Sequence, residues 1–81
     1  MQTTIAQLKK GQKAVIKSFD IDNIPLKLIE MGCLPGNVVE LIQIAPFGDP
    51  LFLSVNESHL AIRLETAAAI EIEFIDNIPS K

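Results

Sequence analysis

Glycine, proline and polar turn residues such as Asn56-Glu57-Ser58 punctuate this chain into short apolar pieces, and that spacing constrains the fold more than any other feature. Pieces of this length suit strands and are too short for helices that stand by themselves. The longest stretch without Asp, Glu, Lys or Arg is the nine residues Met31 to Val39, whereas a membrane-spanning helix needs about 20. With 81 residues there is material for one core. A chain that is 48% hydrophobic with a net charge of −3 is not a disordered one.

Lys13–Phe19 follows Gly11, is rich in β-branched and aromatic residues, and predicts the first strand. Asp22-Asn23-Ile24-Pro25 has the chemistry of a helix start, with a capping Asp or Asn and Pro in the first turn. That helix is expected through Lys27–Met31 and to stop at a left-handed Gly32, with Ile24, Leu28 and Met31 on one face. Leu34-Pro35-Gly36-Asn37 predicts a type II turn. Val38–Ile44 has few polar positions and is expected to be buried on both faces. In Leu51–Val55, Leu51, Leu53 and Val55 alternate with Phe52 and Ser54. His59–Leu64 points Leu60, Ile62 and Leu64 inward, and Glu65–Ala69 reads as a single turn. Ile70–Ile75 sets Ile70, Ile72 and Phe74 against Glu71 and Glu73 on the other face, where the two acids have no charged partner in view.

The fold expected from the residues is mainly β: five short strands, with one short α-helix between strands 1 and 2. Such strands bury their apolar faces by curling into a small SH3-like or OB-like barrel, which also removes exposed edges. A single domain is expected over residues 1–76, with 77–81 as a frayed tail. Asp-Asn-Ile-Pro recurs at Asp76–Pro79, too short to be a structural repeat.

The residue inventory excludes several functions. Net negative charge argues against a protein held on nucleic acid by phosphate contacts. That charge is uneven: residues 1–27 carry five lysines against two aspartates, and 28–81 an arginine and a lysine against eight acids. This reads as a polarised solvated surface, or as a basic patch for an acidic protein partner. There is no Trp and no Tyr, so the aromatic groove of a Pro-rich-peptide reader is missing. The four Phe are expected to serve the core, which weakens base stacking too.

Catalytic material is scarce. Ser58 and His59 are neighbours on a strand and point to opposite faces. Cys33 and His59 alone make a poor metal site. No Gly-rich phosphate loop is present. The expectation is no enzyme, no cofactor and no metal site. One cysteine excludes an internal disulfide, and the start Met1-Gln2-Thr3-Thr4 has no signal-peptide character, so a reducing cytoplasm is the expected compartment.

Three ordered segments carry a resemblance. Glu30-Met31-Gly32-Cys33-Leu34-Pro35-Gly36 resembles the E-x-G-x-x-P-G segment of the FeoA family, and Ala45-Pro46-Phe47-Gly48-Asp49-Pro50 matches its A-P-x-G-D-P loop. Ile62-Arg63 with Ala67, Ile70 and Ile72 matches its L-R-x-x-x-A-x-x-I-x-V ending. The correspondence runs from about Ile5 to Ile75. The chain departs from the pattern at Glu57, where Gly is frequent, at Thr66, where an acid is common, and at Cys33, often aliphatic. The resemblance implies a small cytosolic SH3-like barrel that accompanies FeoB, a ferrous-iron transporter with a cytosolic GTP-binding domain, and acts on it by protein contact. A related barrel closes the DtxR-type metal-dependent repressors, which implies an alternative: a free-standing interaction domain of metal-regulator type that self-associates.

The candidate partner-binding residues are Leu26, Lys27, Glu30, Asp49 and Arg63. The first three lie on the helix, the one sizeable element outside the barrel. Asp49 reads as a turn residue first, accepting local backbone N–H groups. Arg63 either bridges to the Ala45–Pro50 loop or offers its fork to a partner carboxylate.

Overall fold

Where apolar residues alternate, strands form. A computed structural model describes residues 3–75. Its strands are β1 (Lys13–Phe19), β2 (Val38–Ile44), β3 (Leu51–Val55), β4 (Ser58–Ile62) and β5 (Ile70–Phe74). The first three coincide residue for residue with the expected runs. The frayed tail and the second Asp-Asn-Ile-Pro fall outside the described residues.

The strands make one antiparallel sheet in the order β4-β3-β2-β1-β5. It curls but does not close by hydrogen bonds, so the expectation that a barrel would remove both edges is corrected. The β5 edge is covered instead by the N-terminal segment. Ile5–Gln7 forms a 3₁₀ turn, Thr4 bridges to Glu71, and Ile72 donates to the Thr3 carbonyl at 2.8 Å. That turn drops Ile5 into the core, and no periodicity announces it.

The core is aliphatic: Ile5, Ile16, Val39, Leu41, Leu53, Val55 and Ile70 are its largest enclosed side chains beside Cys33. None of the four Phe is in it, against expectation. Phe47, Phe52 and Phe74 are exposed. The argument that core demand removes Phe from stacking therefore falls, while the charge argument against nucleic acid stands. β2 is not buried on both faces either. Val39 and Leu41 point inward, but Val38, Ile42 and Ile44 are exposed. The pairing of β2 with β3 shifts register between Leu41 and Gln43, leaving Ile42 as the extra residue of a bulge. β4 ends at Ile62, and Leu64 opens the helical turn α2 (Leu64–Ala67), exposed rather than inward.

The helix α1 (Leu26–Glu30) lies between β1 and β2 as predicted, but its start differs. Asp20, not Asp22 or Asn23, is the capping residue, and it caps a separate 3₁₀ turn, Ile21–Asn23, by accepting from the Asp22 N–H at 3.1 Å. Ile24 precedes Pro25 and is extended (φ −117, ψ 126), since the proline ring crowds a helical residue before it. Turn and helix are therefore separated, and Ile24 is turned into the core with Leu28.

The helix end follows expectation closely. Gly32 has φ +106, its N–H donates to Ile29 O at 3.1 Å, and Cys33 N–H donates to Leu28 O at 3.0 Å. This 5→2 and 6→1 pair is the Schellman arrangement. The Asn37 amide donates to Gly32 O at 2.7 Å, and a Cβ at Gly32 would lie 2.6 Å from Asn56 Nδ2. Leu34 O then accepts from Asn37 N–H with Gly36 at φ +95, as a type II turn requires. Asn56 and Glu57 both have positive φ (51 and 67), so β3 and β4 join through a type I′ turn. Glu57 keeps that geometry without the glycine that favours it.

Gly32→Ala is expected to lower stability by about 2–3 kcal/mol in urea unfolding, combining backbone strain with the Asn56 collision. An Asn56→Gly background should recover the collision part and leave the strain. Glu57→Gly should keep stability or raise it by up to about 1 kcal/mol, because relief of positive φ offsets added chain entropy.

Candidate functional site

The Ala45–Pro50 loop is closed within itself by the Ala45 N–H donating to Pro50 O at 3.1 Å, and is fastened to α2 at its end. Asp49 Oδ1 accepts from the Leu64 backbone N–H at 2.8 Å, and Asp49 Oδ2 accepts from Arg63 Nε at 3.2 Å. The carboxylate therefore reaches across to the start of α2, not to local N–H groups as expected. Of the two alternatives expected for Arg63, the structure shows the bridge to the loop. Its Nε bridges to the loop, while the side chain is 74% exposed and its Nη groups make no hydrogen bond among the described residues. At the loop tip, Phe47 is 98% exposed between Ala45 and Gly48, whose N–H donates to Ala45 O at 2.8 Å. Sequence reasoning missed it by assigning every Phe to the core.

On α1, Leu26 (67% exposed), Lys27 and Glu30 face solvent. Lys27 makes no ion pair among the described residues. The structure brings Lys27 together with Arg63. Both line a groove of about 440 Å³ between α1 and β4, floored by Leu28, Met31 and Leu60, with His59 at its rim. Leu26, Glu30 and Asp49 are not among its lining residues. A sequence does not disclose this groove, because α1 and β4 are far apart along the chain.

Cys33 and His59 are placed in different settings. Cys33 is fully enclosed, and burial pushes its thiol pKa up, so the reactive thiolate is disfavoured. His59 is exposed on β4, opposite Ser54 on β3. No group of three or more His, Cys, Asp or Glu among the described residues is arranged to hold a metal ion. No helix among them is long and apolar enough to cross a membrane.

Lys13 of β1 stands opposite Glu40 of β2, and Val15 and Ser18 stand opposite Glu73 and Glu71 of β5. Glu71 is not without partners, as expected, but accepts from the Ser18 hydroxyl at 3.0 Å and has Lys17 Nζ at 4.0 Å. Two lysines of the basic first third, Lys13 and Lys17, thus lie beside acids of the remainder.

Comparison with known proteins decides the family. The FeoA domain pattern matches residues 3–74. The chain belongs to the FeoA family. It is 31% identical over 74 residues to a fusion of Fe(2+) transport protein A with the Fe(2+) transporter FeoB from Porphyromonas gingivalis, covering 90% of this chain and 9% of that protein. Iron(II) transport protein A from Clostridium thermocellum shares the fold with a TM-score of 0.79 at 30% identity, over 90% of this chain and 46% of that one. Stenotrophomonas maltophilia FeoA, solved with zinc and described as a prokaryotic SH3 domain protein, aligns with a TM-score of 0.75 at 26% identity, over 88% and 89% of the two chains. The fold is therefore SH3-like, and the family is one of ferrous-iron transport.

The FeoA motifs divide by physical role. Gly32 and Gly36 are conformational, and Ala67, Ile70 and Ile72 are core. Only the Asp49–Arg63 pair combines structural bonding with exposure. Asp49→Ala should destabilise by about 1–2 kcal/mol in thermal unfolding, chiefly through the Leu64 N–H left without its charged acceptor. Arg63→Ala should change stability by no more than about 0.5 kcal/mol, since its ion pair is open to water.

Proposed function

We propose that this FeoA-family chain is a cytoplasmic accessory protein of ferrous-iron uptake that docks on the cytosolic, GTP-binding part of a FeoB-type transporter, to regulate or assemble it. The observation that carries this reading is the Porphyromonas gingivalis fusion, in which a relative is covalently joined to a transporter. Fusion holds two parts at high effective concentration, which serves parts that work in contact. The exposed α1 residues Leu26, Lys27 and Glu30, with Arg63 across the groove, are the contact surface proposed here. Asp49 supports it by fixing Arg63 and α2. The chain acts by contact and holds neither iron nor nucleotide.

The test pairs a binding assay against the transporter's cytosolic domain with ferrous-iron uptake in a strain lacking this gene. Docking and an uptake defect are expected, and absence of both sinks the proposal. Lys27→Glu should weaken docking by about three- to tenfold with a stability change below about 0.5 kcal/mol, because it reverses a charge on an exposed helix face. Unchanged docking would move the interface elsewhere.

A second reading, self-association of a metal-regulator-type interaction domain, draws on the exposed apolar side chains Ile42, Ile44 and Phe52 on the outside of β2 and β3. Sedimentation with and without divalent metal separates the two, since metal-dependent assembly belongs to this reading alone.

A further inference from the structure

The two edges of the sheet differ in a way that matters for binding. β5 is covered by Thr3 and Thr4, whereas β4 has β3 as its sole backbone partner among the described residues. The hairpin geometry fixes which β4 groups face outward. Val55 and Ser58 flank the two-residue type I′ turn and therefore form a hydrogen-bonded pair. Antiparallel pairs alternate, so Leu60 with Leu53 and Ile62 with Leu51 are bonded too, while His59 and Ala61 are not. The backbone N–H and C=O groups of His59 and Ala61 thus point away from β3 into the open edge.

That edge runs between two hollows. On one side lies the groove against α1, with Leu28 and Met31 on its floor and Lys27 and Arg63 beside it. On the other lies an apolar depression of about 390 Å³ formed with Ile42 and Phe52. His59, Leu60 and Ala61 line both. A strand laid along β4 would send alternate side chains into the two hollows. No acid lines the groove on the α1 side, and its charges are those of Lys27 and Arg63.

We infer that β4 is a strand-accepting edge that takes an extended segment of a partner protein, aliphatic at alternate positions and acidic where it passes Lys27 and Arg63. Main-chain bonds to His59 and Ala61 would supply the pairing, and the two hollows with their cations the selectivity. A second copy of β4 suits this edge badly. It would bring His59 and Arg63 against Lys27 and Arg63, with no acid between Ser58 and Ile62 to meet them. The inference rests on the docking proposal for the existence of a partner, but not for the chemistry of the edge.

The probe is a synthetic peptide, Val-Glu-Val-Asp-Leu-Glu, titrated into the ¹⁵N-labelled full chain and compared with Val-Lys-Val-Lys-Leu-Lys. The largest amide shifts are expected at His59–Ile62, Lys27 and Met31, with slowed hydrogen exchange at His59 and Ala61. The lysine peptide should bind at least about tenfold more weakly. Shifts centred elsewhere, or equal affinity for both peptides, overturn the inference. Ala61→Pro removes an outward N–H and leaves the bonds to β3 intact, so the hairpin should persist while peptide affinity falls about tenfold. Lys27→Glu, which leaves every strand untouched, should weaken the acidic peptide about three- to tenfold and improve the basic one. Concentration-dependent dimerisation that shifts the β4 amides without peptide would give the edge to a second copy and overturn the inference. Full-strength binding of Ala61→Pro to the transporter's cytosolic domain would overturn the edge and leave docking standing. Peptide binding without transporter binding would do the reverse.

Discussion

The close approach of Gly32 to Asn56 is the constraint on which the rest of the architecture turns. It seats the end of α1 against the β3–β4 turn, where a Cβ on Gly32 would force the Asn56 side chain to move. The Asn37 amide on the Gly32 carbonyl then ties the same point to the start of β2. A five-residue helix is too short to persist unaided, so its position is the work of these contacts and of Ile24 and Leu28 in the core. The groove between α1 and β4 exists because the helix is held in this way.

The charge pattern and the sheet order explain one another. β1 carries lysines and runs between β2 and β5, which carry Glu40, Glu71 and Glu73. Opposite charges on neighbouring strands favour this register over slipped ones, although each exposed pair adds little to stability. Part of the polarised charge is therefore met within the sheet, where Lys17 reaches Glu71 and Lys13 stands opposite Glu40. Lys27 stands outside that pairing, on the helix, beside the edge that the sheet leaves open.

The elements were legible wherever the hydrophobic period was unbroken. β1, β2 and β3 followed from runs of alternating or β-branched residues, and Gly32 announced the end of α1. The misreadings share a cause: long-range pairing that the local pattern does not encode. The bulge at Ile42 re-aims the end of β2, so its apolar residues do not all reach the core. The N-terminal turn that buries Ile5 has no period to detect. Phe was assigned inward by its hydrophobicity, yet the aliphatic side chains fill the interior of this small sheet. Of the candidate site, Lys27 and Arg63 were recognised separately. Their shared groove was not, because it depends on where the Schellman turn sets the helix.

Cys33 follows Gly32 directly and is closed off by the same turn, with its N–H bonded to Leu28 and its thiol in the core. An alkylating reagent can reach that sulfur only when the structure opens around it. The single thiol is thus a native clock for opening at the helix end, and its labelling rate reads the free energy of the easiest motion that exposes it. A segment bound across the groove would touch α1 and β4 together and slow the clock, so occupancy at the edge can be followed from a residue the ligand never meets.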